Sequence, residues 1–309
     1  MFDAPPANPQ SVGDIIGRSF RLFRQNAPLL LREQITPCTI MAVGHIIIQF
    51  AATYGLKNPK DFGLILMGVA GFGIGMVISV IGFWFLTLKQ FAFVRLANGL
   101  SVDYREALKF SMNKKWTIVG LFILSYFFCL GIFVVWGAEL IFSVVLGAKI
   151  IPIAVIGATI GLLGMTVSIG LLSIYYLLMT SALACENERW TLLLGRVFHL
   201  LAHDVWRAFG FGILLSIIIT ILSWTLSLPI VALATIELLR SGFPANHMDP
   251  AQALPFYCLV LSQFWQAIIN MFLVPISFMS AGLFYRDLKV RQEGLDVEYK
   301  LSQLIASGA

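Results

Sequence analysis

The stretch FGLILMGVAGFGIGMVISVIGFWFLTL, residues 62–88, decides the fold. Its 27 residues carry no charge, and about 20 apolar residues in a helix already cross a hydrocarbon layer of ~30 Å. The run is apolar throughout rather than alternating, so it does not read as a barrel strand. Gly68, Gly71, Gly75, Ser79 and Gly82 recur at steps of three and four, which puts them on one helix face. Lipid tails are as apolar as leucine and give helices no hydrophobic reason to associate. Membrane helices therefore meet where small residues let backbones approach closely.

Five further runs share this character, at 29–54, 116–135, 151–184, 209–236 and 253–284. The run at 151–184 is longer than a crossing needs, so tilt or protrusion is expected. The apolar stretch 138–148 follows closely on Glu139 and is expected in a connection on the outer face. Composition agrees with six crossings. Of 309 residues, 59% are hydrophobic and 12% charged, with a mean hydropathy of +0.87. A soluble domain carries about 45–50% apolar and ~25% charged residues. A soluble enzyme, a disordered chain and a disulfide scaffold are thereby excluded. Cys38, Cys129, Cys185 and Cys258 form no CxxC pair and read as small apolar residues. The opening MFDAPPANPQ lacks the basic and apolar regions of a cleavable signal, so the first span is expected to drive insertion. The expected fold is all-α: one membrane domain over residues 1–309 with about six transmembrane helices.

Charge fixes the orientation. With the N-terminus on the inner side, 17 of the 21 Lys and Arg residues fall inside and four (Lys57, Lys60, Lys149 and Arg240) outside. The positive-inside rule then puts both termini in the cytoplasm. The formal net charge of +5 points to anionic lipid headgroups as partners rather than to nucleic acid.

Three amphipathic stretches precede the odd-numbered spans: SVGDIIGRSFRLFRQN (11–26), SVDYREALKFSMNKKW (101–116) and WTLLLGRVFHLLAHDVWR (190–207). Gly17, Arg18, Phe20 and Leu22 of the first align without gaps on Gly195, Arg196, Phe198 and Leu200 of the third. Spacing of about 90 residues suggests three copies of one unit, at roughly 11–100, 101–189 and 190–284, with a cytoplasmic segment at 285–309. Each unit would be an elbow helix lying in the interface followed by a transmembrane hairpin. In the first elbow, Ile16, Phe20 and Phe23 are expected to face acyl chains while Arg18, Arg21 and Arg24 reach headgroups. Arg196 and Arg207 of the third elbow join them as candidates for headgroup or partner binding. Ser101 is the expected N-cap of the second, with Asp103 and Glu106 in its first turn. The elbows either orient the hairpins or bind lipid headgroups and partners.

Within the bilayer, Gly157, Gly161, Gly164 and Ser168 form a second small-residue stripe, and Ser216, Thr220, Ser223 and Ser227 a hydroxyl one. Packing within or between subunits is the plain reading, and a hydroxyl-lined pore the sharper one. Gln263, Gln266, Asn270 and Ser277 share a face of the sixth span, as His45 and Gln49 do in the first. An amide without a partner is costly in hydrocarbon. These groups therefore bond one another across helices or line a small polar path between the first and last spans.

Other chemistry is sparse. His199 and His203 lie one helical turn apart, but HExxH is absent and the flanking Arg196 and Arg207 would repel a cation. Glu186 and Glu188 stand at an inner helix end without an adjacent nucleophile. GFGIG lies inside a span rather than at a strand-to-helix turn, and there is no P-loop. No catalytic residue, metal site or cofactor is expected.

The segment GLFYRDLKVRQEGLDVEYKLSQL begins at Gly282. Gly294 can end a helix, and Asp296 can cap a new one. Arg286, Lys289 and Arg291, set against Asp287, Glu293 and Asp296, either pair with the elbows or stay solvated. The segment resembles the membrane domain found alone or fused to glycerophosphoryl diester phosphodiesterases, a bacterial family of multi-span proteins. The resemblance rests on Tyr285, Asp287, Leu288, Arg291, Glu293, Gly294 and Asp296, and on the opening GDIIGRSFRLFRQN. Lys289 stands where that family more often has Arg, which keeps the charge and loses the planar fork. The resemblance implies no activity, because the esterase belongs to a separate soluble barrel. The expected role is non-enzymatic: a scaffold or accessory component of an envelope or export system in a bacterial inner membrane. It would contact lipids and either further copies of itself or other membrane subunits. The alternative is a small-solute or lipid transporter using the polar faces of the first and sixth spans.

Overall fold

The computed structural model describes residues 8–55, 61–147, 151–188, 190–240 and 255–293. Among them there are helices and no strand. They are α1 (Val12–Phe50), α2 (Phe62–Ala97), α3 (Tyr104–Asn113), α4 (Lys115–Gly147), α5 (Ile151–Cys185), α6 (Trp190–His203), α7 (Val205–Arg240) and α8 (Phe256–Glu293). Six of these, all but α3 and α6, are long and apolar enough to cross a bilayer. The chain is an all-α, multi-pass membrane protein.

Each elbow stretch ends on a single residue that interrupts the helix. Asn26 leaves helical geometry at φ −117°, ψ 15°, and its Nδ2 donates to the Leu22 carbonyl at 3.0 Å. Pro28 has no N–H to continue the ladder, so α1 kinks here between elbow and span. Lys114 separates α3 from α4, and Asp204 separates α6 from α7. The first elbow is capped by Ser11, whose Oγ accepts from the Asp14 N–H at 3.1 Å. The N-cap position of the second is Asp103, not Ser101, and its side chain makes no capping bond. Ser101 is buried and its Oγ accepts from Arg95 Nε at 3.3 Å, so tertiary bonding takes the side chain away from the helix end.

The first elbow also faces differently from the expectation. Ile15, Ile16, Leu22 and Phe23 are buried in the protein core rather than set in acyl chains. Ser19 meets Ser280 Oγ to Oγ at 2.6 Å, which brings the elbow against α8. Arg21 and Arg24 remain on the exposed face. Residues 138–147 form no separate connection. They extend α4 to about 50 Å, because Trp136, Glu139 and Ser143 keep packing on α5.

α8 occupies the centre and packs against α1, α2, α5 and α7. The largest buried core gathers at the elbow end, where residues 91–97 of α2, 178–184 of α5 and Phe284, Tyr285 and Leu288 of α8 meet. The chain leaves α2 through Gly99, whose φ of 68° suits glycine alone. The Gly99 N–H donates to the Leu96 carbonyl and the Leu100 N–H to the Arg95 carbonyl, each at 3.0 Å, which is a Schellman ending.

The glycine stripes are packing seams within the chain. A Cβ on Gly75 would lie 2.7 Å from the Gly44 carbonyl oxygen and 2.9 Å from the Ile48 nitrogen of α1. Gly157, Gly161 and Gly164 receive Ser143, Glu139 and Trp136 of α4, and Trp136 Nε1 donates to Ser168 Oγ at 3.1 Å. The hydroxyl stripe of α7 differs: Ser216 and Thr220 are exposed, and Ser227 donates to the Ser223 carbonyl of its own helix.

Replacing Gly75 by Ala should destabilise the protein by about 1–3 kcal/mol, the usual cost of overpacking. Gly73→Ala, with nothing within 4 Å of its added Cβ, should leave stability unchanged or slightly raised. Thermal unfolding in detergent compares the two.

Candidate functional site

The polar groups converge in two places: a clasp at the elbow end and a small cluster between α1 and α8.

The clasp is built on α8. Its last turns carry the sequence YRDLKVRQ (285–292), so charged side chains leave the helix on several sides. Asp287 is 5% exposed and accepts three bonds: from the Gln10 backbone N–H at 2.6 Å, from Arg207 Nη2 at 2.6 Å and from Arg291 Nε at 3.0 Å. The two guanidiniums also donate to the Gln10 carbonyl, at 2.6 and 3.0 Å. One carboxylate thus ties the chain ahead of α1, the start of α7 and α8 together. Phe211 stacks on Phe284 beside it, with centroids 4.1 Å apart and planes 2° from parallel. On another side, Gln292 Nε2 donates to Asp204 Oδ2 and to the Leu200 carbonyl, which fixes α6. Arg286 Nη1 donates to the Asn98 carbonyl at 3.0 Å, at the end of α2.

Glu186, just past α5, is the second centre. Its Oε1 accepts from Tyr285 Oη at 2.6 Å and Lys289 Nζ at 2.7 Å, and its Oε2 pairs with Arg196 at 2.8 Å. Burial opposes its charge. The bonds from Lys289 and Tyr285, with the charges of Lys289 and Arg196, outweigh that and hold the Glu186 pKa below the usual carboxylate value. Lys114 donates to the Leu183 carbonyl at 3.2 Å and, more closely, to the Glu186 carbonyl. Burial and the neighbouring Arg95 lower the Lys114 pKa, partly offset by Glu186. Arg95 lies 3.6 Å over the Phe110 ring and donates to the Ala184 carbonyl at 2.9 Å. Glu33 makes the corresponding joint between α1, α2 and α3. It accepts from Lys89 and from Tyr104 Oη, each at 3.2 Å, and Lys89 also reaches its carbonyl. Burial and Glu33 together push the Tyr104 pKa up.

The candidates read from the sequence divide accordingly. Tyr285, Asp287 and Arg291 belong to the clasp. Arg196 and Arg207, candidates for headgroups, have carboxylate partners in the chain. Arg18 is half-buried, whereas Arg21 and Arg24 are exposed. Glu293 closes α8, and Gly294 and Asp296 lie outside the described residues. His199 and His203 are exposed on α6, and no group of metal-ligating side chains occurs among the described residues.

In the membrane, His45 of α1 and Gln263, Gln266 and Asn270 of α8 line one cavity of about 10 Å³. Gln266 Nε2 donates to Asn270 Oδ1 at 3.2 Å. That volume is about the least that holds one water molecule. Gln49 is half-buried and does not line it. Sequence reasoning missed Gln34 and Gln90, both 0% exposed. Their side-chain NH2 groups have no hydrogen-bond partner among the described residues. It also missed Glu33 with Lys89, although the stripe register of α1 on α2 places them opposite each other.

No family model matches the chain, and neither does any curated protein or solved structure.

Glu186 stabilises through a lowered pKa. Its contribution is complete above the ordinary value of 4.5 and is lost as pH falls through the lower native one. Glu186→Gln leaves Lys289 and Arg196 without its charge and should cost about 1–3 kcal/mol at neutral pH. Thermal midpoints of wild type and variant should converge below pH 4.5.

Proposed function

We propose that this chain is a non-enzymatic integral protein of a bacterial inner membrane, a scaffold or accessory component of an envelope or export system. In this reading the elbow end and both termini face the cytoplasm, where the Lys and Arg residues concentrate. The observation that carries it is how the charged groups are used. Asp287, Glu186 and Glu33 serve as joints between helix ends, held by Arg207, Arg291, Lys289, Arg196 and Lys89. A carboxylate fixed by several donors is suited to holding parts together, and Glu186 is in addition kept ionised by Lys289, Tyr285 and Arg196.

Two further features support the reading. The apolar windows of α4, α5 and α7 are only 11%, 6% and 0% buried within the chain, so long helix surfaces are open to lipid or to other subunits. Arg21 and Arg24 are exposed on the first elbow, as is Arg32 further along α1, and a basic residue near an anionic membrane surface contributes about 1 kcal/mol. We also propose that the chain is related to the membrane domain found alone or fused to glycerophosphoryl diester phosphodiesterases. In its support, Tyr285, Asp287 and Arg291 of the shared signature are the residues around which the clasp is built. Gentle solubilisation and co-purification test the reading. Partner subunits and anionic lipid should be retained, and a bare monomer with no lipid preference would overturn it.

The second reading is a small-solute or lipid transporter. The convergence of His45, Gln263, Gln266 and Asn270 on one cavity favours it. With room there for about one water, transport would require α1 and α8 to part. It expects Gln266→Ala with Asn270→Ala to abolish flux in vesicles at unchanged expression. Under the scaffold reading the same variant should leave partner recovery intact.

A further inference from the structure

Thr159 and Thr166 of α5 and Thr225 and Thr235 of α7 are exposed on spanning helices. Each donates its hydroxyl to the carbonyl four residues back in its own helix, at 2.7–2.8 Å, so none needs an outside partner. The polar face shared by α1 and α8 is different. His45 and Gln266 are exposed there, and Gln263 and Asn270 half-buried. Gln266 Nε2 donates to Asn270 Oδ1, which uses one of the two donors of that amide. Among the described residues, the side chains of His45 and Gln263 make no hydrogen bond.

The face lies deep in the bilayer. Gly44, next to His45, packs on Gly75 and Ser79, midway along the uncharged run 62–88. Gln266 stands about 15 Å along α8 from Phe256, half of a hydrocarbon layer of ~30 Å. Acyl chains offer no hydrogen bond, and an amide without one is costly there. The enclosed room beside these groups, about 10 Å³, holds about one water, so their other bonds must be made outward.

We propose that the face of His45, Gln263, Gln266 and Asn270 pairs with the same face of a second copy of this chain, about a two-fold axis along the membrane normal. Depth and chemistry select that occupant. Such an axis sets every residue opposite residues of equal depth, and a two-fold interface uses one patch on both subunits. A polar patch at mid-bilayer therefore meets an identical one. Amides suit this, because each carries donors and acceptors and can bond its own kind, and an imidazole adds a ring N–H. Asn, Gln and His side chains hydrogen-bond across membrane helices in this way. Phe264 and Ile268, two positions to either side of Gln266, are exposed on the far face of α8. That face is apolar and can stay in lipid.

The test uses the full chain in vesicles of phosphatidylethanolamine and phosphatidylglycerol. Copies labelled at the N-terminus with a donor or an acceptor fluorophore are mixed, and energy transfer is followed as lipid is added. Transfer should persist on dilution and follow a dimer. Gln263→Leu with Gln266→Leu should weaken pairing by roughly tenfold or more. Phe264→Leu with Ile268→Leu should leave it unchanged. Should the first pair of substitutions prevent insertion, His45→Leu serves, and the wild-type dilution curve decides by itself. A wild type that is monomeric at every lipid ratio overturns the proposal, and so does pairing that neither leucine set changes. A benzophenone amino acid in place of Gln263 should yield a cross-linked species of twice the mass of the chain. A link to a different polypeptide instead also overturns it. The proposal goes beyond the scaffold reading and does not rest on it. Monomers that still recover other subunits remove the pairing and leave the scaffold standing. Paired chains with no other subunit and no lipid preference keep the pairing and remove the scaffold.

Discussion

Three bonds to the carboxylate of Asp287 hold the elbow end of this protein together. In hydrocarbon, helices gain nothing from burying one apolar surface against another. What joins them must come from close backbone approach within the bilayer and from polar bonds at its edge. The chain uses both, in different places. Glycine seams couple α1 to α2 and α4 to α5 within each hairpin. Asp287, Glu186 and Glu33 couple the hairpins and elbows to one another. Removing one member of such a buried set leaves opposite charges without a partner, which is far more destabilising than losing an exposed pair. The pair of Arg32 with Glu33 is of the exposed kind, with the arginine side chain 73% exposed, and contributes little.

Much of this was legible in residue spacing. The stripe at Gly68–Gly82 shows which face of α2 meets α1, and an antiparallel hairpin then has only one register. The register that sets Ala51 on Gly71 and Met41 on Gly82 continues to Glu33 on Lys89. In the second hairpin, Ser143 on Gly157, Glu139 on Gly161 and Trp136 on Gly164 continue to Lys114 at Glu186. The contacts of Glu33 with Lys89 and of Lys114 with Glu186 therefore follow from the glycines, because a rigid helix transmits its register over its whole length.

The rest depended on neighbours that a single sequence does not name. An amphipathic elbow presents one apolar stripe, and its pattern is the same whether acyl chains or protein lie beneath it. Ile16 and Phe23 chose protein because α8 stands within reach, where Ser19 touches Ser280. Ser101 was the better cap by residue type, yet Arg95 claimed its hydroxyl. Hydropathy likewise suggested a break near Glu139, whereas Ser143 Oγ donates to that carboxylate at 2.8 Å inside the helix pair, so the helix runs on. Arg196 and Arg207 kept the basic character that suits headgroups, and only the fold brought carboxylates to them.

The central position of α8 has a consequence for biosynthesis. It is the latest made of the described helices, and α1, α2, α5 and α7 all lean on it. Hairpins that emerge earlier can insert and pair locally, but the faces of α1, α5 and α7 meant for α8 stay in lipid until α8 itself emerges. Assembly of the bundle is therefore a late, concerted closure around the newest segment, and not a gradual accretion of one hairpin upon the last.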